Sequence, residues 1–425
     1  MSGRTAGRTR RRPASSLIVC GIVLGLGWAG PLGAQQAEPW ARFTAQGVVA
    51  ATGADPVPGD RYLSELRVVQ PVVMVHAGWG PHLAGLATLD LEGLTIPQGE
   101  LAMGDWGEGF MDRRHPHTYA HELLVTGNDL LGRRDGEGQV SLTAGKGFAP
   151  FGTDDPMIRP PLRYPVNHHF AQILERAVLI GAGRQGPVTL ELGLFNGDEP
   201  ERPNQWPLIA GRFGDSWSGR LTAAPVTGVE LQGSYAHVHS PEHREGAGPD
   251  QDKASLSARW VGPVGGHPVY GLLEWARTSE AGGFFVYHSL LAEGAWTGGR
   301  HRLYYRFERT ERPEEERISD FRSLRPHLEN SILGITRWTV HTAGYTLEGL
   351  ALGPVRLEPL TEFSLGSIDL LRGAFGVESF YGDDHWWSWT LGLRIAGGAP
   401  MHRMGRYGAA AQDMEADHRH HGMGS

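Results

Sequence analysis

The densest group of side chains that could bind a metal lies between Asp112 and Glu122. Imidazole and carboxylate groups are ordinary ligands of zinc and copper. In an extended chain His115, His117 and His121 would share one face, whereas in a helix His117 and His121 would lie one turn apart. The candidate ligands for copper or zinc are His115, His117, His121, Glu122, His168 and His169. The alternative is a set of hydrogen-bonding residues that anchors a rim or an inward loop.

A second group of candidate ligands lies in residues 399–425, which we expect to form a flexible tail. Its thioether and imidazole groups belong to Met401, His402, Met404, Met414, His418, His420, His421 and Met423. Copper binds such a ligand set. Histidine-rich tails also bind divalent metals loosely when metal binding is not their role.

The sequence gives little support for a nucleotide-binding or hydrolytic site. The stretch Gly145-Lys146-Gly147 lacks the Ser or Thr and the upstream spacing of a phosphate-binding loop. No Gly-x-Ser-x-Gly motif occurs, and no spacing brings a serine, a histidine and an aspartate together. We therefore predict no catalytic residue and no enzyme activity.

The elements that would position these groups are β-strands. Between Trp387 and Ile395 every second residue is apolar, and the residues between them are Ser, Thr, Gly and Arg. Residues 188–196 alternate in the same way. A period of two indicates a strand with one apolar and one polar face. In a membrane barrel the apolar face would contact lipid, with Trp387 and Trp389 at the headgroup level.

The spacing of these strands indicates a barrel. Short Gly/Pro turns alternate with long, charged connections such as 198–207 and 240–250, which is the layout of an outer-membrane barrel. We predict an all-β fold, a transmembrane antiparallel β-barrel of about 14–16 strands. A soluble propeller or pair of sandwiches is the alternative. Charged residues on the polar faces would line the lumen: Lys146, Glu191, Arg259, Glu274, Arg302, Arg306, Glu308, Arg356, Glu358, Glu362 and Arg394.

The N-terminus has the composition of a secretory signal. Five arginines between Arg4 and Arg12 precede an apolar run, and a small residue suited to cleavage ends the segment at Ala34. We predict a signal peptide at 1–34, a barrel at 35–398 and the tail at 399–425. The only cysteine, Cys20, lies in the apolar run. Removal of the five arginines would lower the formal charge from −8 to −13, which argues against nucleic acid as a partner.

Two motifs resemble the phosphate-selective porin family of the O and P type. One is Gly145-Lys146-Gly147-Phe148-Ala149-Pro150-Phe151-Gly152, and the other is Gly193-Leu194-Phe195-Asn196-Gly197-Asp198. The resemblance covers about residues 138–200. It implies a large single-chain outer-membrane barrel with a lumen narrowed by an inward loop. This chain departs from the family because its last strand is followed by a tail, and because acids surround its few basic candidates, so phosphate selectivity does not carry over.

These patterns predict a porin-like channel for passive diffusion of small hydrophilic solutes or ions, located in the outer membrane and in contact with its lipid. A homotrimer is a candidate assembly. An outer-membrane copper- or zinc-binding protein is the first alternative, and a soluble periplasmic β-protein is the second.

Overall fold

A computed structural model describes residues 38–55, 63–96, 117–131, 138–166, 168–315, 317–319, 322–323 and 332–411. The predicted signal peptide at 1–34 lies outside these residues, and so do His115 and residues 412–425 of the predicted tail.

Sixteen long antiparallel strands make up almost all of the described chain. They are β1 Pro39–Asp55, β2 Leu63–Trp79, β3 Leu83–Asp90, β4 Ala120–Gly127, β5 Gln139–Gly147, β6 Arg176–Gln185, β7 Val188–Phe195, β8 Ser216–Val226, β9 Val229–Val238, β10 Gln251–Val264, β11 His267–Glu280, β12 Phe285–Gly298, β13 His301–Glu315, β14 Ile332–Leu347, β15 Val355–Gly373 and β16 His385–Gly398. A short strand at Leu350–Leu352 extends β14 along β15. Residues Arg317–Ser319 and Arg322–Ser323 form a small separate ribbon.

The sheet closes on itself. Each strand pairs with its neighbours in sequence, and β1 also pairs with β16, from Thr44 opposite Gly398 to Asp55 opposite Trp387. A closed antiparallel sheet has no free edge, which is the condition for strands to cross a membrane. The prediction of an all-β barrel with up to 16 strands is confirmed.

Many large apolar side chains point away from the barrel. In β7, Leu190 and Leu192 are 48% and 58% exposed, whereas Glu191 between them is 1% exposed. In β16 the polar residues Ser388 and Thr390 are buried, while Leu391 is exposed. A soluble barrel would bury its leucines, so this pattern indicates an outer surface made for lipid and disfavours the soluble alternative.

Helices are few and short. They are α1 Glu92–Thr95, α2 His168–Ala171 and α3 Val377–Tyr381, with single 3₁₀ turns at Pro156–Ile158, Ala281–Gly283 and Gly408–Ala410. No helix in the described ranges has the length and apolar character needed to cross a membrane.

Residues 148–175, which connect β5 to β6, fold into the barrel, and we call them the inward loop. The backbone N–H of Gly152 donates to Ser234 of β9 at 3.0 Å, and that of Val166 donates to Glu308 of β13 at 2.6 Å. Only a loop inside the barrel can contact walls so far apart in the strand order. The predicted narrowing of the lumen by an inward loop thus has a counterpart in the structure.

Residues 399–411, which we call the C-terminal segment, also lie inside the barrel. Met404 is fully buried, and Tyr407 is 5% exposed. The Tyr407 hydroxyl donates to Glu122 of β4 at 2.7 Å, and the backbone N–H of Ala409 donates to Ser141 Oγ of β5 at 2.8 Å. The expectation of a flexible tail is wrong for this segment, because its polar groups find partners on the barrel wall.

The two sequence motifs pack against each other. Gly193, on the inner face of β7, has no side chain, and a Cβ there would meet the Pro150 ring at 2.5 Å. Gly152 has φ +65°, and a Cβ there would lie 1.5 Å from the carbonyl oxygen of Ala171. Both glycines are therefore required where the inward loop leaves β5 and turns back across the lumen.

Candidate functional site

The interior of the barrel holds many charged side chains. Six residues predicted to line the lumen are each no more than 4% exposed: Lys146, Glu191, Glu274, Arg306, Glu308 and Glu362. A water-filled lumen would leave such groups accessible. The structure therefore differs from the expected open lumen at these positions, because the inward loop and the C-terminal segment cover them.

Some of the buried charges pair with one another across neighbouring strands. Arg220 of β8 binds Glu191 through Nε and Nη2, both at 2.6 Å from a carboxylate oxygen. Arg306 of β13 donates from Nε to Glu293 of β12 at 2.7 Å. A two-point contact such as that of Arg220 is among the stronger charged hydrogen bonds, and both pairs fix side chains of the inner wall.

Other buried charges bind the inward loop. Glu362 accepts from the backbone N–H groups of Leu162 and of Arg163, the second at 3.2 Å. Glu274 accepts from the Thr153 hydroxyl. These two contacts hold the loop across the lumen. Lys146 instead donates to the wall, to the backbone oxygen of Ala120 in β4 at 2.7 Å.

The remaining predicted lumen residues lie nearer the barrel ends. Arg302 pairs with Glu348 at 2.5 Å, and Arg394 lies 3.6 Å from Glu358. Arg259 is partly exposed and 4.0 Å from Asp154 of the inward loop. Arg356 is exposed and donates to the backbone oxygen of Gly398 at 3.2 Å, so it lies at the rim where the short turns are.

Arg403 joins the C-terminal segment to both the inward loop and the wall. Its Nη2 lies 2.8 Å from Asp154 Oδ1, and its Nη1 lies 2.9 Å from Oε2 of Glu230 in β9. Arg406 adds a contact of 3.0 Å from Nη2 to Glu230 Oε1. Burial alone would raise the pKa of the Asp154 carboxyl, but the positive charges of Arg403, Arg406 and Arg259 hold that pKa well below its usual range.

A further arginine of the inward loop lies over an aromatic ring. Arg163 is 5% exposed, and its Cζ lies 4.7 Å from the centre of the Trp386 ring, a cation–π contact. Burial lowers the pKa of Arg163 to about 10, while the nearby charge of Glu308 opposes this change. The inner tryptophan of β16 thus packs against the loop, unlike the outward Trp387 and Trp389.

Three of the histidines predicted as metal ligands meet at the end of the barrel where the long loops are. His117 lies just before β4, His121 is in β4, and His168 begins α2 of the inward loop. The β3–β4 register shifts between Thr88 and Leu89, which adds one residue to β4. This bulge turns His121 inward beside Glu122, so that both are buried.

The distances within this histidine cluster are short. His117 Nδ1 lies 3.1 Å from Asp90 Oδ2, and His117 Nε2 lies 3.2 Å from His168 Nε2. His121 Nδ1 lies 2.6 Å from Oε1 of Glu175, the last residue of the inward loop. Burial alone would raise the pKa of Glu175, but the hydrogen bond from His121 and nearby positive charges lower it to about 2.

Glu122, another predicted ligand, has a different role in the structure. Glu122 accepts hydrogen bonds from Thr88 Oγ1 and Tyr407 Oη, both at 2.7 Å, and so anchors the C-terminal segment. His115 and the side chain of His169 lie outside what the structure describes.

Several residues of the site were not predicted from the sequence. Arg220 and Glu293 follow the same alternation as their inward neighbours, so strand periodicity could have identified them. Asp90 lies beside the start of β4 only because of the β3–β4 pairing. Arg403 carried no local signal, because residues around it have no period.

A cavity of about 650 Å³ lies at the end of the barrel where the short turns are. Its walls include Trp40 and Arg42 of β1 and His76 of β2. Residues His402, Arg406 and Tyr407 of the C-terminal segment also line it. The segment therefore lies between this cavity and the inward loop.

Comparisons with known proteins agree with this architecture at the level of the fold. No protein-family model and no curated protein matches the sequence. An anion-selective porin from Comamonas acidovorans has 12% identity and a TM-score of 0.50, covering 84% of this chain and 100% of that chain. OmpF of Salmonella typhi, in complex with daunomycin, has 8% identity, a TM-score of 0.49, and coverage of 83% and 97%. The first match, together with the closed sheet, shows that this chain has the barrel fold of an outer-membrane porin.

Proposed function

We propose that this protein is an outer-membrane, porin-like channel for small hydrophilic solutes or ions. The observation that carries the proposal is a closed barrel of 16 strands that is apolar outside and charged inside. A charged inner wall favours polar solutes over apolar ones and gives a channel its ion selectivity. The same apolar outer surface supports contact with outer-membrane lipid, and a homotrimer stays a prediction.

The C-terminal segment would set how open the channel is. It fills the interior beside the inward loop, and Arg220 donates to both, at 3.3 Å to the Gly152 oxygen and 2.6 Å to the Gly405 oxygen. With both in place the buried wall charges are out of reach of solutes. We propose that permeation requires the C-terminal segment to leave the barrel.

The local resemblance to phosphate-selective porins supports the inward loop more than it supports phosphate as the solute. Its motif residues Pro150, Gly152 and Gly193 have packing roles. Lys146, its early basic residue, donates to backbone and hydroxyl oxygens of the wall. The proposal therefore names no particular anion.

Planar-bilayer conductance tests both parts of the proposal. The variant Ser141→Cys with Ala409→Cys would tie the C-terminal segment to β5, because the Ala409 N–H lies 2.8 Å from Ser141 Oγ. We expect low conductance in the oxidised form and higher conductance after reduction. Ser141→Cys alone is the control and should not respond to reductant. No conductance from the folded protein, either wild type or lacking residues 399–425, would refute the channel, whereas equal conductance in both redox states would refute only the role of the segment.

A further inference from the structure

We propose that Asp90, His117 and His121 form a binding site for a divalent cation of the zinc class. One potential ligand atom from each of Asp90, His117 and His121 lies within 4.8 Å of the other two. All three residues are at most 5% exposed. The proposal is independent of the channel function, because it concerns a cluster of ligand groups and not a permeation path.

The spacing between Asp90 and His117 fits a shared cation. Asp90 Oδ2 and His117 Nδ1 are 3.1 Å apart. Zinc–ligand bonds of about 2.0–2.1 Å in a tetrahedral site place two ligand atoms roughly 3.3–3.4 Å apart. The two groups therefore need little movement to hold one ion, while His168 Nε2 lies 3.2 Å from the other nitrogen of the His117 ring.

His121 supplies the second, independent observation. Its Nδ1 is held by Glu175 at 2.6 Å, whereas its Nε2 is buried without a hydrogen-bond partner among the described residues. A buried polar atom without a partner is costly. A histidine whose one nitrogen is fixed by a carboxylate, with the other left as a ligand, is the usual arrangement of a metal-binding imidazole.

The charge of the cluster also favours a cation. Three carboxylates, from Asp90, Glu92 and Glu175, share this buried space with the three imidazoles. The described residues contain no cysteine, so the donor set is imidazole and carboxylate, which suits zinc and related first-row ions. A dication would compensate negative charge that water cannot reach.

Such an ion would connect two strands of the barrel wall. Asp90 belongs to β3 and His121 to β4, and His117 lies just before β4. A bound ion would join them near the end of the barrel where the long loops are, beside Glu175 of the inward loop, which holds His121. The site is distinct from the Arg403 contacts that hold the C-terminal segment.

The test is metal binding by the full chain refolded in detergent, with Zn²⁺ or Co²⁺ added during or after refolding. We expect one tight site per chain, and visible Co²⁺ absorption of the intensity typical of a four-coordinate ion. His121→Ala should abolish that site. Glu175→Gln, which removes only the carboxylate behind His121, should weaken it by about 10–100-fold.

Two controls address other histidines. His385→Ala alters the exposed Asp383-Asp384-His385 group, the other cluster with ligand spacing among the described residues. A triple alanine variant of His418, His420 and His421 removes loose binding by the chain end. Both should keep the tight site.

Two results would overturn the proposal. The first is wild-type protein that binds neither ion under either order of addition. The second is a His121→Ala variant that retains wild-type affinity. If His121→Ala does not fold, Asp90→Asn is measured in its place. Wild-type metal affinity in Asp90→Asn would also overturn the proposal.

Discussion

Replacement of Arg403 by Met should release the C-terminal segment from the barrel. The Arg403 side chain is 12% exposed, and its guanidinium contacts both Asp154 and Glu230 at 2.8–2.9 Å. Methionine retains much of the apolar side chain but leaves two mostly buried carboxylates with less compensating charge. Arg406 still contacts Glu230 at 3.0 Å and limits the loss.

The expected cost is at the low end of the range for breaking a buried ion pair, about 3 kcal/mol. Since 1.4 kcal/mol corresponds to a tenfold change, the ratio of bound to released segment should fall by about 100-fold. Hydrogen exchange at the Ala409 amide, which donates to Ser141 Oγ, measures this ratio directly. The amide should exchange about 100-fold faster in the variant.

Two further variants make the measurement decisive. Arg356→Met removes an arginine that is exposed and contacts Gly398, next to the same segment. An exposed contact contributes about 0–1 kcal/mol, so exchange there should change only severalfold at most. Adding Glu230→Gln to Arg403→Met should recover part of the lost stability of the docked segment, because it removes a buried negative charge that no longer has Arg403 as its partner. Unchanged exchange in Arg403→Met, or additive losses in the double variant, would refute the reasoning.

Three other predictions follow from contacts described above. The pKa of Asp154 is depressed, so its ion pairs stabilise the docked C-terminal segment above pH 3.8, the ordinary pKa of an aspartate, and this stabilisation is lost as the pH falls below that value. Hydrogen exchange at the Ala409 amide, corrected for the intrinsic rate, should therefore rise at low pH, and it should rise less in Asp154→Asn. Gly152→Ala should destabilise the protein by about 1–3 kcal/mol more than Gly186→Ala in urea titrations, because both have positive φ but only Gly152 is crowded. Leu192→Arg, on the outer face of β7, should cost about 2–4 kcal/mol in lipid vesicles, against about 0–1 for Val188→Arg at the strand end; equal costs would contradict a lipid-facing β7.

The barrel was predictable from the sequence because the alternation of apolar and polar residues is a local property of each strand. A period of two places Leu190 and Leu192 on one face and Glu191 on the other, whatever the rest of the chain does. The same rule identified the outward Trp387 and Trp389. Strand ends were less certain, since β13 continues to Glu315 through residues with the composition of a loop.

The contents of the barrel could not be predicted in this way. Residues 148–175 and 399–411 have no periodicity, and their conformations depend on partners far away in sequence. Arg403, for example, contacts Glu230, 173 residues earlier. The bulge at His121 also breaks the strand rule locally, so the alternation alone could not place His121 and Glu122 on the same side.

The position of the C-terminal segment has a consequence for how the protein is assembled. The segment follows directly from β16, which forms the seam with β1, and it contacts Ser141 of β5 and Glu230 of β9. These partners come together only when most of the wall is in place. The segment can therefore dock only when the barrel is complete. A chain whose β1–β16 seam has the wrong register would leave Tyr407 and Arg403 outside, where quality-control proteases could reach them.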